Sequence, residues 1–260
     1  MNFKYILSGC LFFVLGTTLY AQEAQENPSS KFQAFFTQNM DYQVKAQFSI
    51  GGSAPLGLPR EIRSVKSYNP GLQTGFEANA TKWVNQQWGV RLGVRFEEKG
   101  MKTDARVKDY LIEVNSAKGP SRGYFTGDVY TNVSNTYLTF PISAVYNLSE
   151  NWNLYGGVFL SGLIDRNFTG NVSNGYLREN APTGLKVEFN DDASADFDYS
   201  DDLNRLQWGF QAGGEWNLNS HFRLFSDVSY GANRLFKKDF EDISFSMHNI
   251  YLNLGFGYQF

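Results

Sequence analysis

Residues 247–260 read MHNIYLNLGFGYQF. His248, Ile250, Leu252, Leu254, Phe256, Tyr258 and Phe260 hold one parity; Met247, Asn249, Tyr251, Asn253, Gly255, Gly257 and Gln259 hold the other. Side chains alternate faces along a strand, so this segment carries one almost wholly apolar face and one of polar residues and glycine. The same period returns along the chain. Val44, Ala46, Phe48 and Ile50 alternate with Lys45, Gln47 and Ser49, and Phe76, Ala78 and Ala80 with Gly75, Glu77 and Asn79. Trp88, Val90, Leu92, Val94 and Phe96 alternate with Arg91, Gly93, Arg95 and Glu97, and Leu138, Phe140, Ile142 and Ala144 with Tyr137, Thr139, Pro141 and Ser143. Similar runs begin at Trp152, Leu206 and Phe222. With the last strand this makes eight, an even number that closes an up-and-down barrel with both ends on one side.

The connections alternate in length. Segments 81–87, 149–151 and 219–221 are short, whereas 51–71, 98–135, 167–204 and 233–246 are long. Trp88, Trp152 and Trp216 all stand beside the short turns, as an aromatic girdle at one membrane interface would. Pro141 lacks an amide hydrogen for a central ladder, so a local bulge or kink is expected there. The apolar face carries the Trp residues. The polar face is rich in glycine and holds Lys45, Arg91, Arg95 and Arg223 against Glu77, Glu97, Glu215 and Asp227. Equal numbers of opposite charges suit a buried network, because an unpaired charge inside a narrow tube is costly. These observations put the apolar face toward lipid and the polar face in the lumen: an all-β, eight-stranded, antiparallel, transmembrane barrel.

Mean hydropathy is −0.38, and beyond the first twenty residues nothing is apolar for long enough to form a membrane helix. A barrel escapes that test, because only every second residue need be apolar. Residues 1–21 have the plan of a signal peptide: Lys4, an apolar run from Tyr5 to Leu15, and a small residue, Ala21, before Gln22. A lipoprotein reading of Cys10 is rejected, because most of the apolar run follows it. Cleavage after Ala21 removes Cys10, the single cysteine, and with Lys4 lost the net charge goes from −3 to −3 − 1 = −4. That balance gives no case for nucleic-acid binding. Residues 22–41 read as a periplasmic lead-in, and 42–260 as the barrel domain.

The terminal strand resembles the β-signal of bacterial outer-membrane barrels, in which a polar residue, a glycine and two spaced aromatics close the chain. Here these are Asn253, Gly255, Tyr258 and Phe260. Over residues 42–260 the chain is similar to the small outer-membrane β-barrel domain of Bacteroidetes-type bacteria, the PorT-like group, and in architecture to the OmpA/OmpX type. The resemblance implies the cell outer membrane as location, and lipid, lipopolysaccharide and the barrel-assembly machinery as partners. It carries no catalytic residue across.

Eight strands leave room only for side chains inside. Tyr155, Phe225, Tyr251 and the charged octet are expected to fill the lumen, which argues against a wide pore. The segment NDDASADFDYSDD, 190–202, is acidic; Asp196 and Asp198 have the alternate spacing of a calcium loop but lack its glycine and terminal glutamate, so they make only a weak calcium candidate. The segment 98–135 is basic through Lys99, Lys102, Arg106, Lys108, Lys118 and Arg122, and 107–114 and 124–133 read as a hairpin extending the wall. Of the two histidines, His221 lies in a short turn and His248 begins the last strand with Ser244, Ser246 and Glu241 near in sequence. A lipid-A-modifying enzyme needs a nucleophile beside a base, and this arrangement departs from that pattern. No cofactor or enzymatic activity is expected. The sequence supports a structural or interaction scaffold with long external loops. A secretion or envelope-assembly accessory that binds an envelope protein is the alternative, ahead of a lipid-modifying enzyme or a narrow ion channel.

Overall fold

The computed structural model describes residues 37–57, 59–116, 119–189 and 193–260. The chain divides into two compact units, Met1–Gln38 and Asn39–Phe260. The proposed signal peptide and residues 22–36 of the proposed lead-in lie outside the described residues, and β1 begins within the last two residues of that lead-in.

The described residues of the second unit form twelve strands: β1 (Met40–Pro55), β2 (Ile62–Asn69), β3 (Gln73–Trp83), β4 (Trp88–Ser116), β5 (Gly119–Ser149), β6 (Trp152–Asp165), β7 (Phe168–Glu179), β8 (Lys186–Phe189), β9 (Ala195–Asp198), β10 (Leu206–Asn217), β11 (Phe222–Gly231) and β12 (Met247–Gln259). The expected count of eight is therefore corrected to twelve. Eight of them close the ring β1–β3–β4–β5–β6–β10–β11–β12–β1 through antiparallel pairs. The other four lie within the segments read as long loops, where period-two patterns are short and interrupted. Closure removes the unpaired edges that an open sheet would expose.

Two of the three short turns have a common chemistry. Asn85 Oδ1 accepts from the Gln87 and Trp88 amides, and Asn219 Oδ1 from those of His221 and Phe222, at 2.8–2.9 Å. An asparagine bonding its own backbone two and three residues on is a compact way to reverse the chain. At this end Trp152 and Trp216 are register partners, stacked at 6.1 Å, and Trp88 lies against Tyr146 at 4.8 Å.

The wall is inside-out relative to a soluble barrel. Its outer face exposes Phe48, Phe76, Leu92, Phe96, Ile142, Leu160, Phe210, Val228 and Phe256, while Gln47, Glu77, Arg95, Glu97, Thr139 and Gln211 are buried inside. A continuous apolar belt of this kind needs a bilayer around it. Among the described residues no helix is long and apolar enough to cross a membrane; the strands do so.

No bulge occurs at Pro141. The β4–β5 ladder skips Gly93 and Val94 opposite Pro141 and Phe140, but the register is the same on either side, Leu92↔Ile142 and Arg95↔Thr139, and Pro141 pairs with Phe159 of β6 in register. Gly93 explains the tolerance: a Cβ there would stand 3.1 Å from Pro141 Cγ, so the absent side chain leaves room for the ring.

Above the belt the pattern inverts. Along the inward face of β4, Arg91, Arg95, Glu97 and Lys99 give way to Met101, Val107, Tyr110, Ile112 and Val114, all buried. On its outward face, Trp88–Val90–Leu92–Val94–Phe96 gives way to Glu98, Lys102, Asp104 and Arg106. The bilayer boundary thus falls near Phe96–Glu98, and beyond it the chain has a water-soluble protein's pattern. A bulge between Val107 and Tyr110, with Asp109 at φ 54°, shifts the parity so that Tyr110, Ile112 and Val114 still face inward.

This head has its own apolar core, including Phe125, Val172, Leu177, Leu203 and Leu235. Where β3 ends, β2 takes over the β4 edge; where β6 ends, β7 takes over the β5 edge. β9 pairs both β7 and, at Asn115↔Asp196, β4, so β4, β5, β7 and β9 close a second, smaller ring.

Candidate functional site

The lumen of the membrane-spanning wall holds two polar clusters, linked where Lys45 and Arg91 lie over the Tyr155 ring. Glu215, from β10, is its lower hub. Its carboxylate receives a bidentate pair from Arg91, both hydrogen bonds 2.8 Å, an ion pair from Lys45, and Arg223 Nη1 at 3.9 Å. Lys45 and Glu77 are cross-strand partners, as are Glu77 and Arg95, so pairing alone brings the second cluster together. Arg95 Nε and Nη2 both reach Glu77 Oε2 at 2.6 Å, and Nη1 stands 3.8 Å from Glu97. Thr139 Oγ1 donates to Glu97 at 2.7 Å and Asn79 Nδ2 to Glu77 at 2.7 Å. Asp227 accepts from the Tyr155 hydroxyl at 2.8 Å and from Asn253 Nδ2 at 2.7 Å. Tyr155, Phe225 and Tyr251 are buried in the interior.

Lys99 is the residue that sequence reasoning missed. In sequence it belongs to the basic segment 98–135, yet it shares the parity of Arg91, Arg95 and Glu97. In the structure its ammonium is buried 2.9 Å from Glu97 and lies 5.2–5.7 Å from the ring centres of Tyr137, Phe159 and Tyr251. With Lys99 added to Lys45, Arg91, Arg95 and Arg223, the lumen holds one more cation than its Glu77, Glu97, Glu215 and Asp227 anions. Electron-rich ring faces accept that surplus. The aromatic layer also marks the change from polar lumen below to apolar core above.

The terminal residues have packing roles as well. Asn253 is fully buried, donating to Asp227 and accepting from Ser49 Oγ at 2.7 Å. Gly255 faces the lumen, where a Cβ would come within 2.8 Å of Phe225 Cζ. Tyr258 stacks on His221 at 5.5 Å and meets Phe222 and Phe260 edge-on. The Phe260 amide donates to Tyr42 O at 3.0 Å, tying the chain end to β1.

Outside the lumen the basic residues are partly spent within the protein. Arg106 and Lys66 both bind Asp128, at 2.9 and 2.7 Å, and Arg122 binds Asp242 at 2.7 Å. Burial pushes the Asp128 carboxyl upward, but hydrogen bonds from Lys66, Arg106 and Asn174 outweigh it and hold the group below its ordinary range. Lys102 and Lys108 are exposed, and Lys118 lies outside the described residues.

Asp196 and Asp198 sit in β9 rather than in an open loop, both exposed, and Asp198 Oδ1 accepts from the Ser200 amide. Among the described residues no group of three or more His, Cys, Asp or Glu could hold a metal ion. The imidazole Nδ1 of His248 lies 2.9 Å from Gly231 O, with its ring stacked on Tyr230. The corresponding atom of His221 lies 3.1 Å from Gln259 O.

Residues 20–237 match the family described as outer membrane protein beta-barrel domain. The chain belongs to that family. As an outer membrane protein beta-barrel domain, it resides in the outer membrane, with the exposed belt against lipid. Among solved structures it is similar to Ail, the attachment invasion locus protein of Yersinia pestis, at 16% identity and a TM-score of 0.35, over 85% of this chain and 97% of that one. It is also similar to the N-terminal β-barrel domain of Pseudomonas aeruginosa OprF, at 10% identity and a TM-score of 0.32, over 86% and 98% of the two chains. Neisserial surface protein A gives 13% identity and a TM-score of 0.32, over 86% and 98%. Likenesses this distant carry no functional information. No curated protein matches the chain.

Proposed function

We propose that this outer-membrane barrel is a non-enzymatic scaffold whose extracellular head binds a partner at the cell surface. The observation that carries the reading is the stacking of two dissimilar interiors: a salt-bridged lumen, and above it an apolar core in the head. A diffusion channel needs a continuous polar path, and this order of layers opposes one. A head with its own core and strand pairing is a rigid platform, so exposed groups at its tip, such as Leu185, pay little ordering entropy on binding. Lipopolysaccharide and a second envelope protein are the proposed partners, and the barrel-assembly machinery is the partner during biogenesis through Asn253, Gly255, Tyr258 and Phe260. In the PorT-like variant of this reading, the partner belongs to a protein-export apparatus.

Photo-crosslinking in living cells from position 185 tests the proposal. Adducts to an envelope protein or to lipopolysaccharide are expected, and the absence of both overturns it. A deletion strain separates the variants: failed export of surface proteins favours the secretion accessory, and intact export favours the general scaffold. Planar-bilayer recordings of the purified chain are expected to give no conductance steps; regular steps would replace the scaffold by a narrow channel.

A further inference from the structure

Between β1 and β2 the wall has a seam. β3 begins at Gln73, opposite Ser49, so the next stretch of β1, Gly51–Pro55, pairs with β12 on one side but has no β3 beside it on the other. β2 stands there instead, paired to β4. The Tyr68 hydroxyl donates to Gly51 O across the seam at 2.6 Å.

Two bulges in β2, between Ile62 and Ser64 and between Val65 and Ser67, place Ile62, Val65 and Tyr68 on one face, opposite Val107, Ala105 and Thr103 of β4. Strict alternation could not align residues three apart; each bulge inserts the extra residue needed. This face points into the molecule, yet Val65 and Tyr68 are about half exposed, at 51% and 48%. They are exposed to a cavity of about 500 Å³. Met101, Val107, Tyr110 and Phe168 line its inner end, while Gly52 and Ile250 stand at the seam. Gly52 makes room at the seam for the Met101 side chain, whose Sδ lies 2.4 Å from where a Cβ would be.

The mouth is continuous with the lipid-facing belt. Ile50 and Leu252, one step below on β1 and β12, are exposed, and so is Leu72 beside the start of β3. Lys102 is exposed on the outer face of β4, between cavity-lining Met101 and Thr103. A chain entering from the bilayer would place its polar end by this ammonium and its apolar end against Tyr110 and Val107. We infer that the cavity seats one acyl chain of an outer-leaflet lipid, inserted sideways through the seam between β1 and β2. The volume lies within the range of about 300–1,000 Å³ usual for small-molecule sites, and the lining is mostly apolar.

The test uses the full chain in phosphatidylcholine nanodiscs doped with a phosphatidylcholine that bears a diazirine near the end of one acyl chain. After illumination, adducts are expected on Met101, Val107 or Tyr110, which face the interior and are out of reach of lipid that stays in the bilayer. Ala105→Trp, which fills the cavity, is expected to lower those adducts about tenfold and to leave adducts on belt residues such as Phe256 unchanged. Heat-modifiable gel mobility verifies that the variant is folded, and Thr103→Phe serves if it is not. Adducts confined to the belt in the unsubstituted protein overturn the proposal. So do interior adducts that persist in the folded, filled variants. A parallel sample with diazirine-labelled palmitic acid distinguishes the source: interior labelling by the free acid alone overturns the membrane-lipid assignment.

Discussion

Glu215 answers three cations at once, and its neighbours show what a narrow lumen demands of single residues. The bidentate Arg91 pair fixes geometry, and Lys45 and Arg223 share the remaining charge. Removing one partner of a buried charge cluster costs more than the cluster contributes when complete, because the others are left uncompensated. Glu215→Gln is therefore expected to lower the free energy of unfolding in detergent by about 3–5 kcal/mol, read from urea titration. A second substitution, Lys45→Met, is expected to recover part of the loss; strict additivity of the two would sink the idea of a coupled cluster. Asn253 and Gly255 look like an address tag in the sequence, yet the folded lumen uses both, one as a hydrogen-bond bridge between Ser49 and Asp227 and the other as space for Phe225. Lys99 was misplaced for the opposite reason. Its neighbours Lys102 and Arg106 are external, and only its parity, two residues on from Glu97, distinguished it.

Among the elements, β4 and β5 form the spine. Each serves two environments, because its inward face is polar inside the membrane and apolar beyond it. The head should accordingly be destabilised without the barrel. Ile112 is fully buried in the head core, and Ile112→Ala is expected to cost about 2–5 kcal/mol locally. Limited proteolysis should then cut within the head while the membrane-embedded fragment keeps its heat-modifiable mobility. Loss of both together would mean that head and barrel unfold as one unit. The bulge expected at Pro141 is absent because its answer lies on another strand: Gly93 makes the space, and pairing partners cannot be read from either segment alone. The extra strands β2, β7, β8 and β9 were equally hard to see. β8 and β9 are four residues each, β2 carries two bulges and β7 shifts register between Ser173 and Tyr176, so none shows a sustained period of two.

For the whole molecule, closure and the inverted wall make one expectation firm. Refolded in detergent micelles, the protein should migrate faster on SDS gels unboiled than boiled, since a closed ladder resists SDS until heated. A fold that forms without micelles and shows no such shift would put the exposed belt in error. The two-storey plan also explains why a chain of mean hydropathy −0.38 belongs in a membrane. The apolar surface is confined to alternate residues of the wall, and the head adds a water-facing exterior to the average.

The sequence by itself determined the barrel class, the wall strands and the faces they present to lipid and lumen, because a two-residue period with a polar lumen face has few other solutions. It also placed the short turns. It further marked 107–114 and 124–133 as the hairpin that continues the wall. Only the tertiary structure decided which other strands flank that hairpin above Glu98, where parity resets at bulges, and where the seam and its cavity lie. Those features depend on contacts between segments far apart in sequence, such as β1 with β12 and β4 with β9, and on glycines and bulges whose meaning comes from the partner strand.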